Sequence, residues 1–100
     1  MKRLNQKTAI ITGGGTGIGR GIALALAQEG AHLVLCGRRL ERIQSVVSEI
    51  QAMGGEALAV QADVSIEQDV IHLTRAAMET FNRVDILVNN AAVSEEGEFH

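Results

Sequence analysis

Thr12-Gly13-Gly14-Gly15-Thr16-Gly17-Ile18-Gly19 follows a short apolar run, Ala9-Ile10-Ile11, and leads into a helical pattern. A glycine-rich turn from a buried strand into a helix lets backbone approach an anion closely. The helix then offers its unpaired N–H groups and the positive end of its dipole. The chemistry this predicts is a phosphate cradle. It is not a Walker P-loop, because no Lys-Ser or Lys-Thr pair follows, and every register of G-x-G-x-x-G lacks its third glycine or alanine. Three more segments carry polar groups next to apolar runs: Gly37-Arg38-Arg39, Asp63-Val64 and Asn89-Asn90-Ala91-Ala92. Cys36 stands inside an apolar run and reads as a core residue, since free cysteine is among the most buried types. His72, with Arg75 and Glu79, reads as solvated helix surface. Glu95, Glu96 and Glu98 read as a solvated acidic loop, not as paired catalytic acids.

The elements that must position these residues alternate strictly. Thr8 to Ile11 reads as a strand buried on both faces. Ile18, Ile22, Ala25 and Leu26 then share one helical face, and Gly30 reads as the C-terminal cap. His32 to Cys36 is a second buried strand, and Leu40, Ile43, Val47 and Ile50 define a second helix ending at Gly54-Gly55. Ala57 to Gln61 makes a third strand. Ser65 with Gln68 reads as a capping box ahead of Ile66, Val70, Leu73 and Ala77, a third helix that ends near Phe81. Asp85 to Asn89 is the fourth strand.

Alternating strands and helices require crossover connections, hence a parallel sheet. The expected fold class is a doubly wound α/β sheet of Rossmann type, with strand order 3-2-1-4 over a single domain, 1–100. Right-handed crossovers put helices one and two on one face and helix three alone on the other. That second face is under-covered, and strand four would show Ile86, Leu87 and Val88 from an unpaired edge. More chain is therefore expected after His100.

The pattern T-G-x-x-x-G-x-G, matched at every fixed position, resembles the cofactor motif of the classical short-chain dehydrogenases/reductases. Asp63-Val64 is similar to that family's adenine-holding acid and its neighbour, and Asn89-Asn90-Ala91-Ala92 to its N-N-A-G element, with Ala92 departing from the usual glycine. The resemblance runs from Lys7 to Ala92 and covers the N-terminal portion of the longer family fold. It implies that Gly13 permits the sharp turn, that Gly15 and Thr16 lie beside the adenosine ribose and its phosphate, and that Gly17 with the Ile18 N–H meets the pyrophosphate. Gly19 would let the helix pack closely. Asp63 would accept from the adenine amino group, the Val64 N–H would meet a ring nitrogen, and Asn90 with Ala91 would lie along the ribose.

The end of strand two bears on the choice of cofactor. A site for NAD places a carboxylate there to accept from the ribose hydroxyls, whereas a site for NADP omits the acid and supplies a guanidinium. Gly37 occupies the acid's position and Arg38 follows, an arrangement that the family resemblance associates with NADP. Arg39 is a possible second partner of the 2′-phosphate. NAD is the less favoured cofactor. The competing reading, that the two arginines cap helix two, conflicts with the unfavourable placement of cations at a helix N-terminus.

By resemblance the complete enzyme moves a hydride between NADP(H) and a small-molecule carbonyl or alcohol, as a homo-oligomer. The family's proton chemistry uses a tyrosine, a lysine four residues later, a serine and an asparagine. This sequence has no tyrosine and no lysine after Lys7, so no catalytic residue is carried over and the 100-residue chain alone is expected to be inactive. Two readings remain open: the cofactor-binding half of a shortened oxidoreductase, or a short non-catalytic module that binds a dinucleotide or pairs through its open edge. An S-adenosylmethionine-dependent methyltransferase fits less well, since Gly37-Arg38 is the wrong chemistry for its ribose.

Composition excludes other classes. A net charge of -3 with nine scattered Lys and Arg offers no footprint for nucleic acid. One cysteine makes no internal disulfide, and His32, His72 and His100 have no metal-ligand spacing. The run after Lys2-Arg3 is too short for a signal peptide and no stretch approaches the roughly 18 apolar residues of a membrane span, so the default expectation is a cytoplasmic protein without membrane partners.

Overall fold

The strand β1 (Thr8–Thr12) is buried at every position, the pattern expected of a central strand covered on both faces. The computed structural model describes residues 2–15 and 17–90. The other elements are α1 (Gly17–Gln28), β2 (His32–Gly37), α2 (Leu40–Ala52), β3 (Glu56–Gln61), α3 (Glu67–Phe81) and β4 (Ile86–Asn89). All strand pairs are parallel, as the alternation of periods predicts, and the sheet order is β3-β2-β1-β4, the order expected for the fold class.

Two clusters divide the core by sheet face. Ala9, Ile11, Leu33 and Leu35 point toward α1 and α2, where they meet Ala23, Ala27, Ile43, Val47 and Ile50. Ile10, Val34, Cys36 and Val60 point the other way and meet Leu73 and Ala77 of α3 alone. This unequal cover leaves an apolar trough of about 350 Å³ between α3 and β4, lined by Ile10, Val64, Val70, Leu73, Val84 and Leu87 among others. Among the described residues β4 is a sheet edge, and Leu87 on it is 65% exposed. Ile86 and Val88 are half-buried against the α1/α2 cluster instead, because successive side chains of a strand alternate faces.

The helix ends follow local chemistry with one correction. Gly30 (φ +93°) terminates α1 in the left-handed region, and the Ala31 N–H returns to the Leu26 carbonyl at 3.1 Å. Asn82, at φ +67°, ends α3 in the same way. The capping box expected from Ser65 and Gln68 does not form: Ile66 is the N-cap of α3 and makes no side-chain cap bond. Ser65 turns back to Asp63 instead, its N–H and hydroxyl reaching Asp63 Oδ1 at 2.9 and 2.6 Å. Aspartate competes well for such local backbone bonds, and here an Asx turn displaces the box.

Parallel strands have no hairpin to set their register, so other contacts must. At the start of the β1–β4 pair, the Asp85 N–H donates to the Thr8 carbonyl at 2.9 Å while Asp85 Oδ2 accepts the Thr8 N–H at 2.9 Å. The Arg83 guanidinium binds the same carboxylate, and with the Thr8 N–H it holds Asp85 down to about 2, from an ordinary 3.8. Because the folded value is depressed, this stabilisation is present above the unfolded value and is lost as pH falls from about 4 through about 2. Asp85→Asn should therefore lower Tm at pH 7 and flatten the fall of Tm across that acid window. A parental slope in the variant would show that Asp85 does not contribute there.

Candidate functional site

The glycine turn is tied to the strands on either side of β1. Gly13 takes a positive φ of 70°, which turns the chain out of β1. The Gly13 and Gly14 N–H groups both donate to the Cys36 carbonyl of β2, at 2.8 and 3.2 Å. From the end of β4, Asn90 Nδ2 donates to the Gly13 carbonyl at 3.1 Å. The Thr12 hydroxyl lies within donating distance of Asn89 Oδ1 (3.1 Å) and the Val88 carbonyl (3.3 Å). The turn is thus tied to both neighbouring strands at the carboxyl ends of β1 and β4, where the strand order reverses.

Sterics explain several of the glycines without a ligand. A Cβ on Gly19 would lie 2.1 Å from the Gly13 carbonyl oxygen and 2.9 Å from Asn90 Nδ2. One on Gly15 would meet Arg42 Cβ at 2.9 Å, so Gly15 lets the turn press on the first turn of α2. Gly14, to which the motif assigns no role, is also tight, with Leu35 Cβ 3.1 Å from its Cβ position. Gly17 differs: a Cβ there meets nothing within 4 Å, so the space at the start of α1 is open. Ile18 beside it is 61% exposed, and the first turn of α1 carries no acidic residue to offset its positive end. Open space, helix N-terminal N–H groups and an uncompensated dipole are the features an anion requires. The glycine turn fits a phosphate group on that ground. Thr16 and Ala91, also expected at this site, lie outside the described residues, as do Ala92 and the acidic loop of Glu95, Glu96 and Glu98.

A second region adjoins the cradle at the ends of β2 and β3. Arg38, Gln61, Ala62, Asp63 and Asp69 line a cavity of about 320 Å³. Arg38 and Asp63, distant in sequence, are brought together here, and both are near the surface. The Ser65 hydroxyl and N–H, with Arg38 farther off, hold Asp63 below the usual carboxylate range. Asp69 Oδ2 accepts the Asp63 N–H at 2.8 Å and so fixes the loop that carries it. Sequence reasoning missed Asp69; an acid in the first helical turn is a recognisable cap signal, but its target six residues back is not. Val64 lines the apolar trough with Thr12 and Asn89. Cys36 is a core residue as expected. Burial pushes its thiol up to about 11, with Asp69 and Asp63 adding to the shift, so it is no nucleophile at neutral pH. Among the described residues no group of His, Cys, Asp and Glu could hold a metal, and no helix is long and apolar enough to cross a membrane.

A family model described as short chain dehydrogenase matches residues 7–100. The chain belongs to the short chain dehydrogenase family. Among curated proteins it is 45% identical over 89 residues to the 7alpha-hydroxysteroid dehydrogenase of Escherichia coli (strain K12), covering 89% of this chain and 35% of that enzyme. The chain thus spans about a third of the length of that relative. It is also 44% identical over 95 residues to the short-chain dehydrogenase/reductase homolog YusS of Bacillus subtilis, covering 94% of this chain and 86% of YusS. Among solved structures, a hydroxysteroid dehydrogenase from Escherichia coli superposes with a TM-score of 0.85 at 44% identity, over 87% of this chain and 37% of that one. A short chain dehydrogenase/reductase from Burkholderia phymatum, in complex with NAD, gives 0.82 at 37% identity, over 87% of this chain and 31% of that one. The short chain dehydrogenase fold is therefore shared, within the portion this chain spans.

Steric demand separates the glycines of α1 experimentally. Gly19→Ala should destabilise the fold by about 1–3 kcal/mol or more through overpacking. Gly21→Ala, whose Cβ meets nothing within 4 Å, should be neutral or stabilise by up to about 1 kcal/mol. Urea unfolding of the two variants checks this, and equal stabilities would remove the steric reading of Gly19.

Proposed function

We propose that this chain is the cofactor-binding portion of an NADP(H)-dependent oxidoreductase that transfers a hydride between the nicotinamide and a carbonyl or alcohol. The observation that carries the NADP reading is the end of β2, where Gly37 offers no carboxylate and the exposed Arg38 follows, lining one cavity with Asp63. Bound nicotinamide dinucleotide supplies the hydride chemistry. The chain's own residues bind and orient. The open start of α1 at Gly17 and Ile18 receives the pyrophosphate, with Gly13 turning the chain out of β1, Gly15 letting the turn pack on α2 beside the adenosine ribose, and Gly19 letting α1 sit over the turn. Arg38 meets the 2′-phosphate, Asp63 and the Val64 N–H hold the adenine, and Asn90 with Thr16 and Ala91 borders the ribose positions. Two carboxylates in the same cavity, Asp63 and Asp69, oppose a phosphate in their midst, so the 2′-phosphate belongs on the Arg38 side. NAD is the competing cofactor, and it is the one bound in the Burkholderia phymatum structure.

The substrate is proposed to be a small-molecule carbonyl or alcohol and the complete enzyme a homo-oligomer, on family grounds, and a cytoplasmic location is proposed from the sequence pattern. Proton transfer is expected to need residues this sequence does not hold, since it contains no tyrosine. A second reading, a non-catalytic dinucleotide-binding or pairing module, is favoured by the match to YusS, which spans most of that protein. The nucleotide sequence past codon 100 discriminates: continuation, in any frame, into Tyr-x-x-x-Lys sinks the module reading.

Calorimetric titration of the folded chain with NADPH and with NADH tests the cofactor. NADPH should bind more tightly. Arg38→Ala should weaken NADPH binding by about 1.5–3 kcal/mol, the worth of a charge-assisted hydrogen bond, and leave NADH nearly unchanged. Equal loss for both would show that Arg38 does not read the 2′-phosphate.

A further inference from the structure

The pairing of β2 with β3 ends at Gly37 opposite Gln61, yet two hydrogen bonds continue beyond it. The Ala62 N–H donates to the Gly37 carbonyl at 3.0 Å, a main-chain bond available whatever the side chain. The next bond is different in kind. Gln61 Nε2 donates to the Arg38 carbonyl at 3.0 Å, so a side-chain amide from β3 takes over where backbone pairing stops. Arg39 is the N-cap of α2 and makes no side-chain cap bond. The connection that presents Arg38 is thus pinned by a neighbouring strand at the Arg38 peptide itself. Side-chain rotamers depend on backbone angles, so the orientation of that peptide governs where the guanidinium points. Gln61, Arg38 and Asp63 line the same cavity.

We propose that Gln61 is a specificity-determining positioning residue, whose amide holds the Arg38 peptide so that the guanidinium is presented to the 2′-phosphate of NADP. The inference rests on the NADP reading above and deepens it. Gln61 acts through Arg38, not on the cofactor. Its chemistry suits that role, since the amide donates to a carbonyl as a carboxylate cannot, and it adds no negative charge beside the phosphate. A glutamate of the same length would lose the donor, repel the phosphate and attract the Arg38 guanidinium to itself. A lysine would keep a donor and a compatible charge.

The test is calorimetric titration of the full chain with NADPH and NADH, for the parent, Arg38→Ala, Gln61→Leu, Gln61→Glu, Gln61→Lys and the Arg38→Ala/Gln61→Leu pair. Gln61 is exposed, so these changes leave the core intact, and circular dichroism confirms the fold of each. Gln61→Leu should raise the NADPH Kd about three- to tenfold, the range for one hydrogen bond. Gln61→Glu should raise it further, Gln61→Lys should restore parental binding, and NADH binding should stay constant. In the Arg38→Ala background Gln61→Leu should add nothing. A parental NADPH-to-NADH ratio in Gln61→Leu, with that ratio lost in Arg38→Ala, overturns this inference alone. So does equal weakening of both coenzymes, which marks a merely structural role. A parent that binds neither coenzyme, or both alike, overturns the NADP reading and this one with it.

Discussion

The Gly13 carbonyl is the point on which the site depends. It accepts a hydrogen bond from Asn90 at the far end of the chain's described residues, and it lies where any side chain on Gly19 would have to go. The hydrogen bond alone is worth about 1 kcal/mol, a modest sum. The steric condition is the harder one, since α1 can reach its position over the turn only if residue 19 has no Cβ. Once α1 is seated, its first N–H groups face the open space at Gly17, and the Gly13 and Gly14 N–H groups are spent on Cys36. Packing thus holds the described residues of the turn in the shape that the proposed anion site needs.

The edge of the site at β2 and β3 is built on a different principle. There the groups are polar and lie at or near the surface, and what holds them is a set of side-chain to backbone bonds: Gln61 to Arg38, Ser65 to Asp63, Asp63 to Asp69. Close packing gives the cradle one shape. Polar bonds in water give this edge a shape that single substitutions can change, which suits the proposed choice between related cofactors.

Much of this was legible in the sequence. Apolar runs and helical periods give the elements and their parallel pairing, and for the expected order 3-2-1-4 right-handed crossovers give the face on which each helix lies. The glycine spacing marks the tight turn after β1, and Gly37-Arg38 marks the polar edge at the end of β2. The contacts that hold these pieces were not legible. Asn90 meets Gly13 across 77 positions and Gln61 meets Arg38 across 23, separations at which no local pattern announces a partner. Ser65 and Gln68 failed for the opposite reason, because a nearer acceptor, Asp63, took the serine's bonds before the helix could.

The strand order also sets a sequence in time. β1 lies between β2 and β4, and the Thr8 and Thr12 contacts with the β4 region span 76 to 77 positions. During synthesis the chain emerges from its N-terminus, so β1 leaves the ribosome early with one flank open. Only after Asn90 has emerged can that flank close and the Gly13 carbonyl gain its donor. Among the described residues, the contacts that tie the glycine turn to β4 therefore form late, although every glycine of the turn was translated near the start.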